Sequence, residues 1–174
     1  MQTKTKNLAV MGLMTALICV LSPIMIPMPG GVGFTLGLFV ILLVTYLMGV
    51  PKSLICYSVY LLIGAIGLPV FAGFTGGLSR ITGPTGGYLI GYIAVIIFAG
   101  IFNHLGKNKI WMFIIGSVIG IIVCYIIGSF WFMYVTATDW KQAVWLCIIP
   151  FIPFDAVKII AVCIIGPAIK RNVK

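Results

Sequence analysis

Six apolar segments, near residues 7–27, 34–50, 53–69, 86–105, 109–134 and 144–169, succeed one another in this chain with little polar sequence between them. Each is close to the length, about 20 residues, that an α-helix needs to cross a bilayer. With 62% hydrophobic and only 7% charged residues, a chain of 174 could not cover the surface of a soluble domain. The expected fold is therefore an all-α integral membrane protein, with six transmembrane helices in one compact bundle and a single domain over 1–174. The run Leu8 to Ile26 is long enough to span and no small-residue cleavage site follows it, so it reads as the first helix. Gly49-Val50-Pro51-Lys52 reads as a tight turn between the second and third spans. The last span is expected to break near Pro150 and Pro153.

The net charge of +9 would point to nucleic acid in a soluble protein, but in a membrane protein basic residues mark cytoplasmic loops, and no nucleic-acid partner is expected. Lys4, Lys6, Lys52, Lys107, Lys109, Lys170, Arg171 and Lys174 fall on one side of the predicted bundle. Only Arg80 and Lys141 fall on the other, and Lys158 lies within the last span. An even number of spans with both termini cytoplasmic, in the cell membrane, explains the asymmetry. The glycine-rich stretch FAGFTGGLSRITGPTGGY, residues 71–88, then becomes an outward loop between the third and fourth helices. Its cation, Arg80, departs from the positive-inside pattern. Glycine lets backbone adopt unusual φ and approach a ligand closely, so the loop reads either as a lid or as a long turn.

The chain has two acidic residues. Asp139 lies in an outer loop, where solvation explains it. Asp155 lies in IIPFIPFDAVKII, a costly place for a charge, with Lys158 three residues on and so on the same helical face. At 1.5 Å per residue from Lys170, the two stand about 22 Å and about 18 Å up, in the outer half of the membrane. They read either as a structural ion pair or as the polar part of a ligand site that Arg80 completes. Three features favour the site: Pro153 fits the first turn of a restarted helix, Arg80 is available from another wall, and a purely structural pair needs no flexible cover. Such a site suits a small molecule with a carboxylate and an amide-like head. Phe71, Phe74 and Tyr88 are candidate apolar walls, although each could equally be packing or an interfacial belt residue. Trp111, Trp131, Trp140 and Trp145 read as belt residues.

Other chemistry finds no support. The Walker pattern is absent, since Lys52-Ser53 follows Pro51 where glycine is required. His104 is the sole histidine, and Cys19, Cys56, Cys124, Cys147 and Cys163 form no C-x-x-C pair. No metal or cofactor is expected, and the chain is not read as an enzyme. Gly12 and Ala16 form a small-x-x-x-small pair that lets another helix approach.

The run YLLIGAIGLPVFAGFTGGLSRITGPTGGYLIGY, residues 60–92, closely resembles the signature of BioY, the biotin-binding S component of energy-coupling-factor (ECF) vitamin transporters. Chain length, the six-span plan, the late Asp155-x-x-Lys158 and the Gly12/Ala16 pair agree with that resemblance. It implies capture of biotin from outside, then association with a membrane coupling (T) subunit carrying two cytoplasmic ATPase subunits. It also implies Arg80, Asp155 and Lys158 as polar ligand residues: Asp155 for the ureido N–H groups, Lys158 for the ureido oxygen and Arg80 for the carboxylate, with the two cations interchangeable. Many relatives carry VP-x-T-L-Q where this chain has Val32-Gly33-Phe34-Thr35-Leu36-Gly37. Thr35 remains a candidate pocket residue, and the glutamine's position is taken by Gly37. Another small carboxylated vitamin, a membrane enzyme using Asp155 and Lys158 as acid and base, and a purely structural subunit are the competing readings.

Overall fold

The computed structural model describes residues 2–26 and 33–173; Val32, Lys174 and the side chain of Lys4, all used above, lie outside the described residues. The described chain is a bundle of helices: α1 (Gln2–Leu21), α2 (Gly37–Ala65), α3 (Leu78–Thr82), α4 (Gly86–Leu105), α5 (Ile110–Thr136), α6 (Trp140–Cys147) and α7 (Phe151–Val173). A short antiparallel ribbon, β1 (Met25–Ile26) on β2 (Phe34–Thr35), joins α1 to α2. Four helical stretches are long and apolar enough to cross a membrane, namely α2, α4, α5 and Trp140–Arg171, and α1 adds a shorter apolar helix. This is a membrane protein.

The chain reverses inside α2. Gly49 has φ 74° and ψ 177°, a conformation that glycine alone adopts without strain, and Pro51 then starts the next turn of helix. The Ser53 hydroxyl closes the corner by donating to Gly49 O at 2.7 Å. The consequence is geometric: Leu38 and Tyr60 line the same cavity, whereas an unbroken helix would hold them about 33 Å apart. The tight turn expected at 49–52 therefore exists, inside what is nominally a single helix.

The second arm of α2 ends at Ala65, short of the expected 69, in a Schellman turn. Gly67, at φ 113°, donates to Gly64 O at 3.1 Å, and Leu68 donates to Ile63 O at 3.4 Å. The first helix likewise stops at Leu21 rather than near 27, because Pro23 cannot continue it. The expected break in the last span lies at Ile148–Pro150; α7 restarts at Phe151, with Pro153 in its first turn.

Two larger clusters fill most of the bundle, and a smaller third joins Phe132 of α5 to Ala143 and Cys147 of α6 and Phe151 of α7. Ile18 of α1 packs with Val40, Ile41, Tyr57 and Tyr60 of α2 and with Phe71; Leu42 and Tyr46 pack with Val95, Phe113, Ile121 and Val162 across α4, α5 and α7. The helices α4 and α5 approach closely, since a Cβ at Gly120 would stand 2.8 Å from the Val95 Cα. Close backbone approach of this type is how helices associate where lipid removes any hydrophobic drive between them. At the end remote from the cavity, Lys52 Nζ donates to Asn7 Oδ1 at 3.1 Å and Lys170 Nζ to Asn108 Oδ1 at 2.8 Å, tying α1, α2, α7 and the α4–α5 turn together.

Candidate ligand-binding site

The break before α7 brings two charges into the bundle. Asp155 and Lys158 sit one turn apart on α7, with Nζ 2.8 Å from Asp155 Oδ1 and each side chain 6% exposed. The other carboxylate oxygen, Oδ2, accepts from the Tyr125 hydroxyl of α5 at 2.6 Å. The ammonium also lies 4.3 Å from the centre of the ring of Phe34, the first residue of β2, and that ring stacks obliquely on Phe154. Thus neither buried charge is left without compensation.

Arg80 comes from the glycine-rich loop, on the short helix α3. Its Nε donates to Thr75 Oγ1 at 2.7 Å and its Nη2 to Ala72 O at 3.3 Å. Thr75 in turn donates to Ala72 O at 2.9 Å, inside a tight turn closed by the Phe71–Thr75 bridge. At the other end of the loop, Trp131 Nε1 donates to Gly83 O at 2.9 Å and its ring packs against Gly86 and Gly87. Trp131 is accordingly a clamp on the loop rather than a belt residue, whereas Trp111, Trp140 and Trp145 are exposed. The Tyr88 hydroxyl donates to Cys147 O at 3.0 Å and so fixes α6 against α4.

These elements surround one cavity of about 80 Å³. A single water needs only about 10–15 Å³, so the space suits a ligand of several atoms. Thr35, Phe71, Arg80, Tyr88, Asp155 and Lys158 all line it. Phe74 does not: it adopts a φ of 56° and is 68% exposed, its side chain turned out of the loop. Asp139 precedes α6 at an exposed position, and His104 is exposed at the end of α4. Gly12 and Ala16 lie elsewhere, in a shallow apolar groove between α1 and the second arm of α2 with Met11, Cys56 and Val59.

Sequence reasoning missed Tyr125, Tyr92, Tyr60 and Ser22, which also line the cavity. A signal existed for two of them. Tyr88 and Tyr92 are spaced four apart on α4, and Tyr125 interrupts the apolar run IIVCYIIG. No metal-binding cluster occurs among the described residues.

Fold and site together define a small α-helical membrane protein with an ion-pair-bearing binding cavity beneath a glycine-rich loop. The chain belongs to the BioY family, whose sequence model matches residues 1–174. It is 35% identical to the biotin transporter BioY of Thermotoga maritima, over 92% of this chain and 93% of that protein. It is 34% identical to biotin transporter BioY2 of Lactococcus lactis (97% and 92% covered) and to a probable biotin transporter BioY of Pyrococcus horikoshii (97% and 99%). The crystal structure of the S-component for biotin from an ECF-type ABC transporter superposes with a TM-score of 0.90 at 26% identity, covering 98% of this chain and 93% of that one. These relatives are named for transport, not for catalysis.

Proposed function

We propose that this chain is the biotin-binding S component of an ECF-type importer: a single domain of six crossings in the cell membrane, both termini cytoplasmic, with the loop over the cavity facing outward. The observation that carries the reading is the convergence of Arg80, Asp155 and Lys158 on one cavity. Donor and acceptor counting supports the assignment. A carboxylate offers about four acceptor positions. Tyr125 and Lys158 occupy two at Asp155, and two remain for the two ureido N–H groups of biotin. Lys158 keeps protons for the ureido oxygen. Arg80 commits Nε and one Nη2 proton to the loop, which leaves Nη1 free for a carboxylate. Phe71 and Tyr88 flank the apolar rings; Phe74 is not assigned a contact.

The groove at Gly12 and Ala16 supports docking of the membrane coupling subunit. Among the described residues a Cβ at Gly12 would meet nothing within 4 Å, so none of them demands a glycine there. A helix of the coupling subunit, with two cytoplasmic ATPase subunits, would then energise uptake. No nucleotide-binding motif exists in this chain to do so.

The test is binding of labelled biotin to purified protein, with mass spectrometry of any ligand that copurifies. Tight one-to-one binding that collapses in Asp155→Asn and Arg80→Ala, with the fold intact, supports the reading. Another carboxylated vitamin outcompeting biotin, or no ligand at all, sinks it.

A further inference from the structure

Hydroxyl groups in the spans of this chain mostly satisfy themselves on the preceding turn. Thr15, Thr45, Ser53, Ser117 and Thr136 each donate to the carbonyl four residues back. Ser22 does not. It follows the last residue of α1, is 3% exposed, and among the described residues its Oγ makes no hydrogen bond of ordinary geometry, the Tyr60 hydroxyl being the polar group beside it. The Ser22 backbone N–H continues the helical ladder to Ile18 O at 2.9 Å, but its hydroxyl does not share that carbonyl. Asn103 and Ser129 also hold an unpartnered atom, but of the three only Ser22 lines the cavity.

A buried hydroxyl without a partner costs stability, and a binding site is one place where such a cost serves a purpose. The surroundings keep this hydroxyl accessible from the cavity. Gly37, the first residue of α2, presents its bare Cα: a Cβ there would stand 2.9 Å from Ser22 Oγ and 3.4 Å from Thr35 Oγ1. A side chain at 37 would therefore fill the space in front of Ser22. The Tyr60 hydroxyl stands within reach of the Ser22 hydroxyl, and the Tyr92 hydroxyl within reach of Thr35. Ser22, Thr35, Tyr60 and Tyr92 thus form a hydroxyl-bearing wall built from the turn after α1 and from β2, α2 and α4, distinct from the charged wall of α5 and α7.

The geometry points to Ser22 as a specificity-determining contact, its hydroxyl donating to an oxygen of the bound ligand across the gap that Gly37 leaves open. This rests on the reading of the cavity as a biotin site, biotin carrying oxygen acceptors at both ends. A hydroxyl without a well-formed intramolecular hydrogen bond affects the empty and the loaded protein in opposite directions. Removing it relieves the empty chain and weakens the complex.

The experiment measures biotin affinity by titration calorimetry, and melting temperature without ligand, for the purified wild type, Ser22→Ala, Gly37→Ala and the double variant. Ser22→Ala is expected to bind biotin about three- to tenfold more weakly, with a ligand-free melting temperature equal to or above wild type. Gly37→Ala, whose methyl group crowds the hydroxyl, is expected to lose affinity too. The double variant should bind no worse than Gly37→Ala alone, because both changes remove the same contact. Ser22→Ala binding as tightly as a biotin-binding wild type overturns the contact alone. So does a ligand-free melting temperature that falls in step with affinity, which would make Ser22 structural. A wild type that does not bind biotin overturns the functional reading and the contact with it.

Discussion

The Tyr125 hydroxyl of α5 donates to Asp155 Oδ2 of α7 at 2.6 Å, across thirty residues of chain, while Lys158 holds Oδ1 at 2.8 Å. The carboxylate is therefore oriented from two helices before any ligand arrives, and Asp155 lines the cavity. Preorganised acceptors bind better than acceptors that must first be ordered. Tyr125→Phe leaves the ring in place and removes one donor to a charged group. Calorimetric titration should find biotin binding weakened by about tenfold, equivalent to about 1.4 kcal/mol and near the low end for such hydrogen bonds.

Asp155 and Lys158 compensate each other within the membrane, so the single and paired substitutions differ in kind. Asp155→Leu strands a buried ammonium and Lys158→Leu a buried carboxylate, and each should lower stability by about 3–5 kcal/mol. Replacing both with leucine removes both charges at once, and thermal melts in detergent should return to within about 1 kcal/mol of wild type or exceed it. Biotin binding should be absent in all three. A double variant that still binds biotin would exclude this pair from the site.

Arg80 holds its own loop with two donors and keeps others free, which yields a prediction about ligand charge. Biotin methyl ester lacks the carboxylate, so the wild type should bind it at least about tenfold more weakly than the acid. In Arg80→Ala, acid and ester should bind alike. If the preference for the acid persists there and vanishes in a Lys158 variant, the two cations exchange roles.

Phe71 forms part of the cavity wall, and its ring lies flat against the bare face of Gly64. A methyl group at 64 would overlap that ring. Gly64→Ala should therefore cost about 1–3 kcal/mol as overpacking and weaken biotin binding, while Gly64→Ala with Phe71→Leu should regain much of the stability. Denaturation of the wild type, Gly64→Ala, Phe71→Leu and the double variant checks this.

What could be read from the residues, and what could not, divides along the range of the interactions. Asp155 and Lys158 announce themselves because a charge in an apolar run is costly, and a spacing of three fixes their shared face. Arg80 stands out by breaking the charge asymmetry, and the corner at Gly49 by its Gly-Val-Pro. Phe71 and Phe74, by contrast, have the same local chemistry, and only a φ of 56° at Phe74 turns one of them outward. The bond from Tyr125 to Asp155 and that from Trp131 to Gly83 join helices distant in sequence, so no local pattern encodes them. The β-ribbon is equally hidden, being two residues per strand with no alternation to detect.

Gly12 and Ala16 are separated by one helical turn and exposed, in a groove bounded by α1 and the second arm of α2. Neither residue lines the ligand cavity. In lipid, a bare helix face gains nothing from hydrophobicity and is useful only where a partner backbone comes close. The prediction therefore separates capture from transport. Gly12→Leu and Ala16→Leu should leave biotin affinity and melting temperature unchanged. When reconstituted with the coupling and ATPase subunits, the same variants should lose at least about tenfold in ATP-driven uptake, as close small-residue contacts tolerate no bulk. Vesicles holding this chain alone should not accumulate biotin against a gradient. Uptake unaffected by both leucines would place the coupling subunit on another face of the bundle.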